Sequence, residues 1–396
     1  MPMYRHDAAS EIDNTFSLTD DEREIVYLAK EFADEYLAPA LNDPDFGGNG
    51  YAGVIAEAAE LGLGGISTRA DTGGADVRNV VSVRIFEQLA TGDPWIASYL
   101  AIHNLATWMI DTFGSHDQRH QWVPRLCSME VIGSYCLTEP SLEAEATALS
   151  TSAVPDSDGY IINGVKDCVL DACCESTVYV VMARASVADP HSVSAFIVPH
   201  DAPGISLVVD QETMGQTRSL GRLYLRNVHV PAANILGGDG DGLRIATDGL
   251  DRARLNVGAC SLGGAQAAFV KAASSLPQFN DVFPALLDSH EVQLRLADMH
   301  TDLEAARTLL LRAASSLDEN ALERLEICAM AKRFATETGV DIATNVVELF
   351  DRYGIVSQHG VAKIAADLRI HRTLEGTDDR TRTVIANSIA AEAAAQ

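Results

Sequence analysis

The sequence predicts a mainly helical protein with a central antiparallel β domain, and three observations carry that prediction. Helical periodicity dominates the first third of the chain. From about residue 134 the texture changes to short β-rich runs broken by Gly, Pro, Asp and Ser, spaced like an antiparallel β-barrel or sandwich. After "GGDGDG" the helical period returns and holds almost to the end, in segments long enough for a four-helix bundle. The expected domains are an N-terminal helical domain over 1–133, a middle β domain over 134–240 and a C-terminal helical bundle over 241–396. A chain of 396 residues is long enough to give each its own core.

The first helix opens in "LTDDEREIVYLAKEFADEYLAPA", where Thr19 and Glu22 have capping-box spacing. Ile25, Leu28, Phe32 and Tyr36 recur along one face, and Pro39 marks the expected end. "YAGVIAEAAELGLGGI" and "NVVSVRIFEQLATGDPWIASYLAIHNLATWMIDTFG" continue the pattern on either side of the glycine-rich "DTGGAD". The strand runs are "VIGSYCLTEP", "GYIINGVK", "TVYVVMARA", "SAFIVPH", "ISLVVD" and "GRLYLRNVHVP". The biased tail "IAAEAAAQ" is expected to fray.

Composition narrows the function classes. A hydrophobic fraction of 47% with 21% charged residues is that of a folded protein. The net charge of −27 argues against nucleic acid or an anionic membrane as partner, because both repel such a surface. Lysine is scarce, confined to positions 30, 166, 271, 332 and 363, so arginine carries most of the positive charge. Seven scattered cysteines without a CxxC suit a reducing compartment, and no run approaches a membrane span. A cytoplasmic location is expected.

Few constellations carry chemistry. "RTLEGT" places Glu375 between an apolar residue and a glycine. In a dry pocket such a carboxylate would have a raised pKa and could abstract a weakly acidic proton; on a surface it would be a solvated helix-end glutamate. "GGDGDGLR" lacks the Lys-Ser/Thr of a phosphate loop and the ligand spacing of a calcium loop, so it reads as a tight turn into a helix. His371 and Glu375 lie four apart without a partner motif, and no metal is expected. Cys173 and Cys174 read as packing rather than redox chemistry.

Longer segments carry a resemblance. "FGSHDQRHQWVPRLCSMEVIGSYCLTEP", "LRNVHVPAANILGGDGDGLRIATDGLDRARLNVGACSLGGAQAA", "LRLADMHTDLEAAR" and "DLRIHRTLEGTDDRTRTVIA" together resemble the acyl-CoA dehydrogenase family, short/branched-chain type, over nearly the whole chain. The resemblance implies a dimeric or tetrameric flavoprotein that removes the α-proton and β-hydride of an acyl thioester. It implies Glu375 as the α-proton base, since the position that carries the base in other branches is Ala253 here. It also implies Arg254 and Gly376 on the substrate side, and Tyr135, Leu137, Thr138 and Thr377 at flavin-contact positions.

The same resemblance exposes departures. The family's Gly-Ala-Gly-Ser-Asp run after "CLTEP" is replaced by residues 141–145, including Glu143 and Ala144. An aromatic, and a Thr or Ser whose hydroxyl meets the flavin ring, are replaced by Cys168 and Leu170. The stretch matching the family's pyrophosphate arginine, "SSLPQFNDVFPALL", has no Arg or Lys, and Glu348, Asp351 and Arg352 stand where Gln and a Gly pair are usual. Asp378 and Asp379 replace the family's Asn-Glu. At roughly 1 kcal/mol per lost hydrogen bond, more where charge is involved, these changes remove on the order of 6 kcal/mol. That is about four powers of ten in affinity, which predicts that FAD binds weakly or not at all. Three readings follow: an FAD-dependent acyl-CoA dehydrogenase with an unusual pocket, a flavin-free thioester enzyme, or a non-catalytic subunit paired with a flavin-competent paralogue. The expected ligand is acyl-CoA or an acyl-carrier protein, and the expected assembly is a homo- or hetero-oligomer.

Overall fold

The computed structural model describes residues 17–42, 49–140, 149–170, 177–185, 189, 192–209, 220–279, 289–352 and 360–395. The elements follow the expected order. The helices α1 (Asp20–Phe32), α2 (Ala38–Asn42), α3 (Asn49–Glu60), α4 (Asn79–Gly92), α5 (Pro94–Phe113) and α6 (His116–Cys127) come first. Strands β1 (Ile132–Cys136), β2 (Ser152–Pro155), β3 (Gly159–Leu170), β4 (Thr177–Arg184), β5 (Val193–Pro199), β6 (Ile205–Val209), β7 (Leu220–Pro231) and β8 (Ile235–Leu236) form one sheet. The chain closes with α7 (Gly242–Ser275), α8 (His290–Asp318), α9 (Arg324–Arg352), α10 (Val361–His371) and α11 (Asp378–Ala395).

Two compact units result. One gathers the described residues of 1–44, 77–98 and 251–396; the other those of 45–76 and 99–250. The second unit holds the sheet, in the order β6-β7-β3-β2-β4-β5-β8 with β1 on β4. β2–β3, β4–β5, β6–β7 and β3–β7 pair antiparallel, while β1 and the start of β2 run parallel to β4. Its core is built from inward residues such as Ile162, Val181, Phe196, Leu223 and Val228, none exposed. His103, on α5, staples this unit: its Nδ1 accepts from the Gly133 amide at 2.9 Å, and its Nε2 meets the carbonyls of Gly64 and Leu126, each at 3.1 Å. Burial pushes its pKa down to about 4, so the ring is neutral and donates through Nε2.

In the first unit the Thr19–Glu22 capping box is present as expected. The buried face of α1 differs from the one the spacing suggested. Val26, Ala29 and Phe32 face the core, while Leu28 is exposed. Nor does Pro39 end the helix. A π-turn over Ala33–Leu37, with the Ala38 amide bonded to the Ala33 carbonyl, re-phases the backbone. Pro39 then falls in the first turn of α2, where its missing N–H costs little. "GGDGDG" is a tight turn, with Gly237 and Gly240 left-handed and Asp241 accepting from the Gly238 amide at 2.9 Å.

Candidate active site

In the first unit α10 ends at His371 and α11 starts at Asp378, and the six residues between them carry Glu375. The Thr373 and Leu374 amides both return to the Ile370 carbonyl, at 2.9 and 3.2 Å. The backbone then goes left-handed twice, at Glu375 (φ 55°) and Gly376 (φ 106°). Glycine takes that conformation freely, whereas a side-chain-bearing residue costs about 1–2 kcal/mol. Such strain persists only where the surroundings enforce it. Thr377 starts the next helix: its hydroxyl accepts from the Arg380 amide at 3.3 Å, so it serves as the cap of α11. Asp378 and Asp379 sit in the first turn, on the positive end of the helix dipole. Arg372 binds Asp378 across the turn, Nε to Oδ2 at 2.9 Å.

Two buried cations face this turn. Lys332 of α9 is fully buried and donates to the carbonyls of Arg372 at 3.0 Å and Gly376 at 2.6 Å. Arg254 of α7 is buried too, with Nη1 on Asp251 at 3.3 Å and no hydrogen-bond partner for its Nε among the described residues. It is therefore no surface ion pair. Glu375 keeps part of its surface open, but the dense protein around its carboxyl desolvates the charge and pushes its pKa up to about 7, against the pull of Lys332 and Arg254. A carboxylate poised near neutrality takes and releases a proton at physiological pH. His371 is not a metal partner for it. Its ring is fully buried between Ser98 and Ser261, at 2.7 and 2.9 Å, and pushed down to about 3 chiefly by burial. Ala253, also buried, offers no second base.

In the second unit the positions expected at a flavin follow from the end of β1. Tyr135 and Leu137 are half-buried and Thr138 is exposed. The loop that bears them is fixed from beneath by a buried ion pair, Lys166 Nζ to Glu139 Oε1 at 2.8 Å. Lys166 also donates to the Leu137 carbonyl at 3.2 Å, and the Asp167 amide to that of Thr138 at 2.8 Å. Glu139 accepts from the amides of Ser150 and Thr151 as well, at 2.7 and 2.9 Å. Burial alone would raise its pKa; Lys166 and these donors hold it at about 2. Replacing Lys166 by Met leaves that carboxylate buried and unpaired, so Lys166→Met is expected to cost about 3–5 kcal/mol in urea unfolding. The double variant with Glu139→Gln should recover part of the loss; equal stability of wild type and Lys166→Met would deny the clamp its role.

A bulge interrupts β3 between Lys166 and Val169, and Cys168 occupies it with φ 56° and an exposed side chain. The loop bearing Tyr135, Leu137 and Thr138 is thus held in place from beneath, while Cys168 and Leu170 carry neither an aromatic ring nor a hydroxyl group. Glu348 and Asp351 stand exposed at the end of α9. Glu143, Ala144, Cys173, Cys174 and residues 280–288 lie outside the described residues, as does the side chain of Leu170. The structure therefore brings Glu375, Gly376, Thr377 and Arg254 into one unit and Tyr135, Leu137 and Thr138, expected at a flavin, into the other.

Sequence reasoning missed Lys332 and the Lys166–Glu139 pair. A signal was there: in a chain with five lysines, "AMAKRFA" sets one inside an apolar helical stretch. The three-residue cluster Asp156, Asp158 and His229 brings ligand-type atoms within 4.8 Å of one another, but all three are exposed, and His229 already pairs with Asp158 at 2.9 Å.

Comparison with known proteins places this geometry. Profiles of the acyl-CoA dehydrogenase N-terminal, middle and C-terminal domains match residues 19–130, 134–228 and 240–390. Mitochondrial isobutyryl-CoA dehydrogenase of Bos taurus is 35% identical over 98% of this chain and 93% of its own, and that of Dictyostelium discoideum is 36% identical over 94% and 90%. Among solved structures, butyryl-CoA dehydrogenase from Megasphaera elsdenii superposes with a TM-score of 0.86 at 28% identity, covering 94% of this chain and 99% of its own.

Proposed function

The chain belongs to the acyl-CoA dehydrogenase family, and from that membership we propose that it desaturates a short, branched acyl-CoA thioester with Glu375 as the α-proton base. The observation that carries the reading is the Glu375 carboxyl itself, held near neutrality in a left-handed turn beneath which two cations are buried. In the carboxylate form it accepts the proton from Cα, a bond weakly acidic beside a thioester carbonyl. Lys332 and Arg254 stabilise that form, so the base is available at neutral pH although it is desolvated. Forming the Cα–Cβ double bond from the electron pair left on Cα would further require an acceptor for a hydride from Cβ. FAD, when bound, supplies the hydride acceptor; Tyr135, Leu137, Thr138 and Thr377 would hold it. The branched-acyl preference rests on the isobutyryl-CoA relatives. Self-association is proposed on the family membership.

Among the described residues no helix is long and apolar enough to cross a membrane. The test is the pH profile. With Glu375 as base, α-proton exchange in deuterated water is expected to fall about tenfold per pH unit below a midpoint near 7. An acid limb centred in the ordinary glutamate range, near 4.3, would point to a different, solvated base.

A further inference from the structure

Two of this chain's five lysines are fully buried, and each lies beneath a segment carrying candidate site residues. Lys166 neutralises a buried carboxylate. Lys332 does something else, because its partners are two backbone carbonyls, Arg372 at 3.0 Å and Gly376 at 2.6 Å, one on each side of Glu375. The Arg372 carbonyl lies just past the end of α10, where helix carbonyls lose their intrahelical donors. The Gly376 carbonyl follows two consecutive left-handed residues, a backbone that does not hold itself.

We infer that Lys332 is a positioning residue for Glu375, pinning its turn from both sides and, as a buried cation beneath it, setting how much of the base is ionised at neutral pH. The inference rests on the assignment of Glu375 as base. The charged groups acting on the turn are few. Lys332 reaches it from α9 and Arg254, paired with Asp251, from α7; Asp378, at the start of α11, favours the charged form of Lys332 more strongly than Arg372 disfavours it. His371 stays neutral. Of the two cations, Lys332 has the larger influence on the Glu375 carboxyl. Burial brings Lys332 itself well below the ordinary lysine range, to about 8, so it remains mostly charged at pH 7, where Glu375 is changing state. The sign follows: a neighbouring ammonium favours the carboxylate, and its loss moves the Glu375 midpoint upward from about 7.

The experiment reads Glu375 directly. The carboxylic acid C=O band of the full chain, identified by its loss in Glu375→Gln, is titrated by infrared difference spectroscopy without turnover. Lys332→Gln keeps an N–H donor and removes the charge; its midpoint is expected to rise by about one unit or more, leaving roughly tenfold less base at pH 6.5. Lys332→Arg should return the midpoint to within about half a unit of wild type. Exchange of acyl-CoA α-protons should fall in Lys332→Gln at pH 6.5 and recover by pH 9. An unmoved midpoint in Lys332→Gln, with exchange lowered equally at every pH, would reduce Lys332 to a structural role and overturn the inference. If Lys332→Gln does not fold, Lys332→Arg decides: a midpoint at or below wild type supports the coupling, and one well above it overturns it. A midpoint that tracks Lys332 while exchange ignores Glu375→Gln would instead retire Glu375 as base.

Discussion

Replacing Glu375 by Gln is expected to lower α-proton exchange and turnover by up to about four powers of ten, while acyl-CoA affinity changes only a few-fold. Glutamine keeps the shape and hydrogen-bonding reach of the side chain but cannot take a proton. The turn that carries it should survive, because the carbonyls of Arg372 and Gly376, not the Glu375 carboxyl, hold Lys332. Thermal stability should if anything rise slightly, since the variant no longer desolvates a charge at neutral pH. Exchange into deuterated water and calorimetric binding of the same thioester separate the two effects. Equal exchange by wild type and variant would remove Glu375 from the reaction, and no other carboxylate is available at the alternative position, which is Ala253.

The residues of the candidate site were named from the sequence, and the features of their surroundings that were not have identifiable physical causes. "LEGT" pointed to Glu375 because residue type and neighbours survive as a local pattern. Its left-handed backbone did not show, since only Gly376 among the two announces such a conformation by identity. The resemblance singled out Arg254, but its burial did not show, because an arginine inside a long helix can face solvent or the core until packing is known. The two buried lysines went unread for a related reason: their partners are a glutamate 27 residues away and carbonyls 40 and 44 residues away, contacts that no local period encodes. In α1 the capping box is local chemistry and was readable. The buried face was not, because Leu28 and Val26 are equally apolar and a π-turn downstream shifts which stripe meets the core.

If FAD binds weakly, as the sequence predicts, the loss would arise at particular positions. Glu348 and Asp351 are solvent-exposed, so their repulsion of a pyrophosphate is screened and worth well under about 1 kcal/mol each. The loss therefore concentrates elsewhere. Leu170 forgoes a hydroxyl bond of about 1 kcal/mol. Cys168 forgoes an aromatic face worth about 1.5 kcal/mol beyond its area. The missing arginine in residues 274–287 forgoes a charge-assisted bond of about 2–3 kcal/mol. Together these come to about 5 kcal/mol, between three and four powers of ten in affinity. The loop frame opposes that loss, because the Lys166–Glu139 clamp presents Tyr135, Leu137 and Thr138 already ordered, and no further entropy is spent on them. The expected result is a chain that leaves size exclusion with well under one flavin per polypeptide and takes up added FAD at raised concentration, seen by flavin fluorescence. Leu170→Thr should tighten that binding about fivefold, and Cys168→Trp with it by a further factor of about ten, while the clamp variant Lys166→Met should weaken it. Stoichiometric FAD on the purified chain, unaffected by the two restoring substitutions, would mean that other residues have rebuilt the contact, with the flavin's reactive edge held by the Tyr135–Thr138 backbone alone.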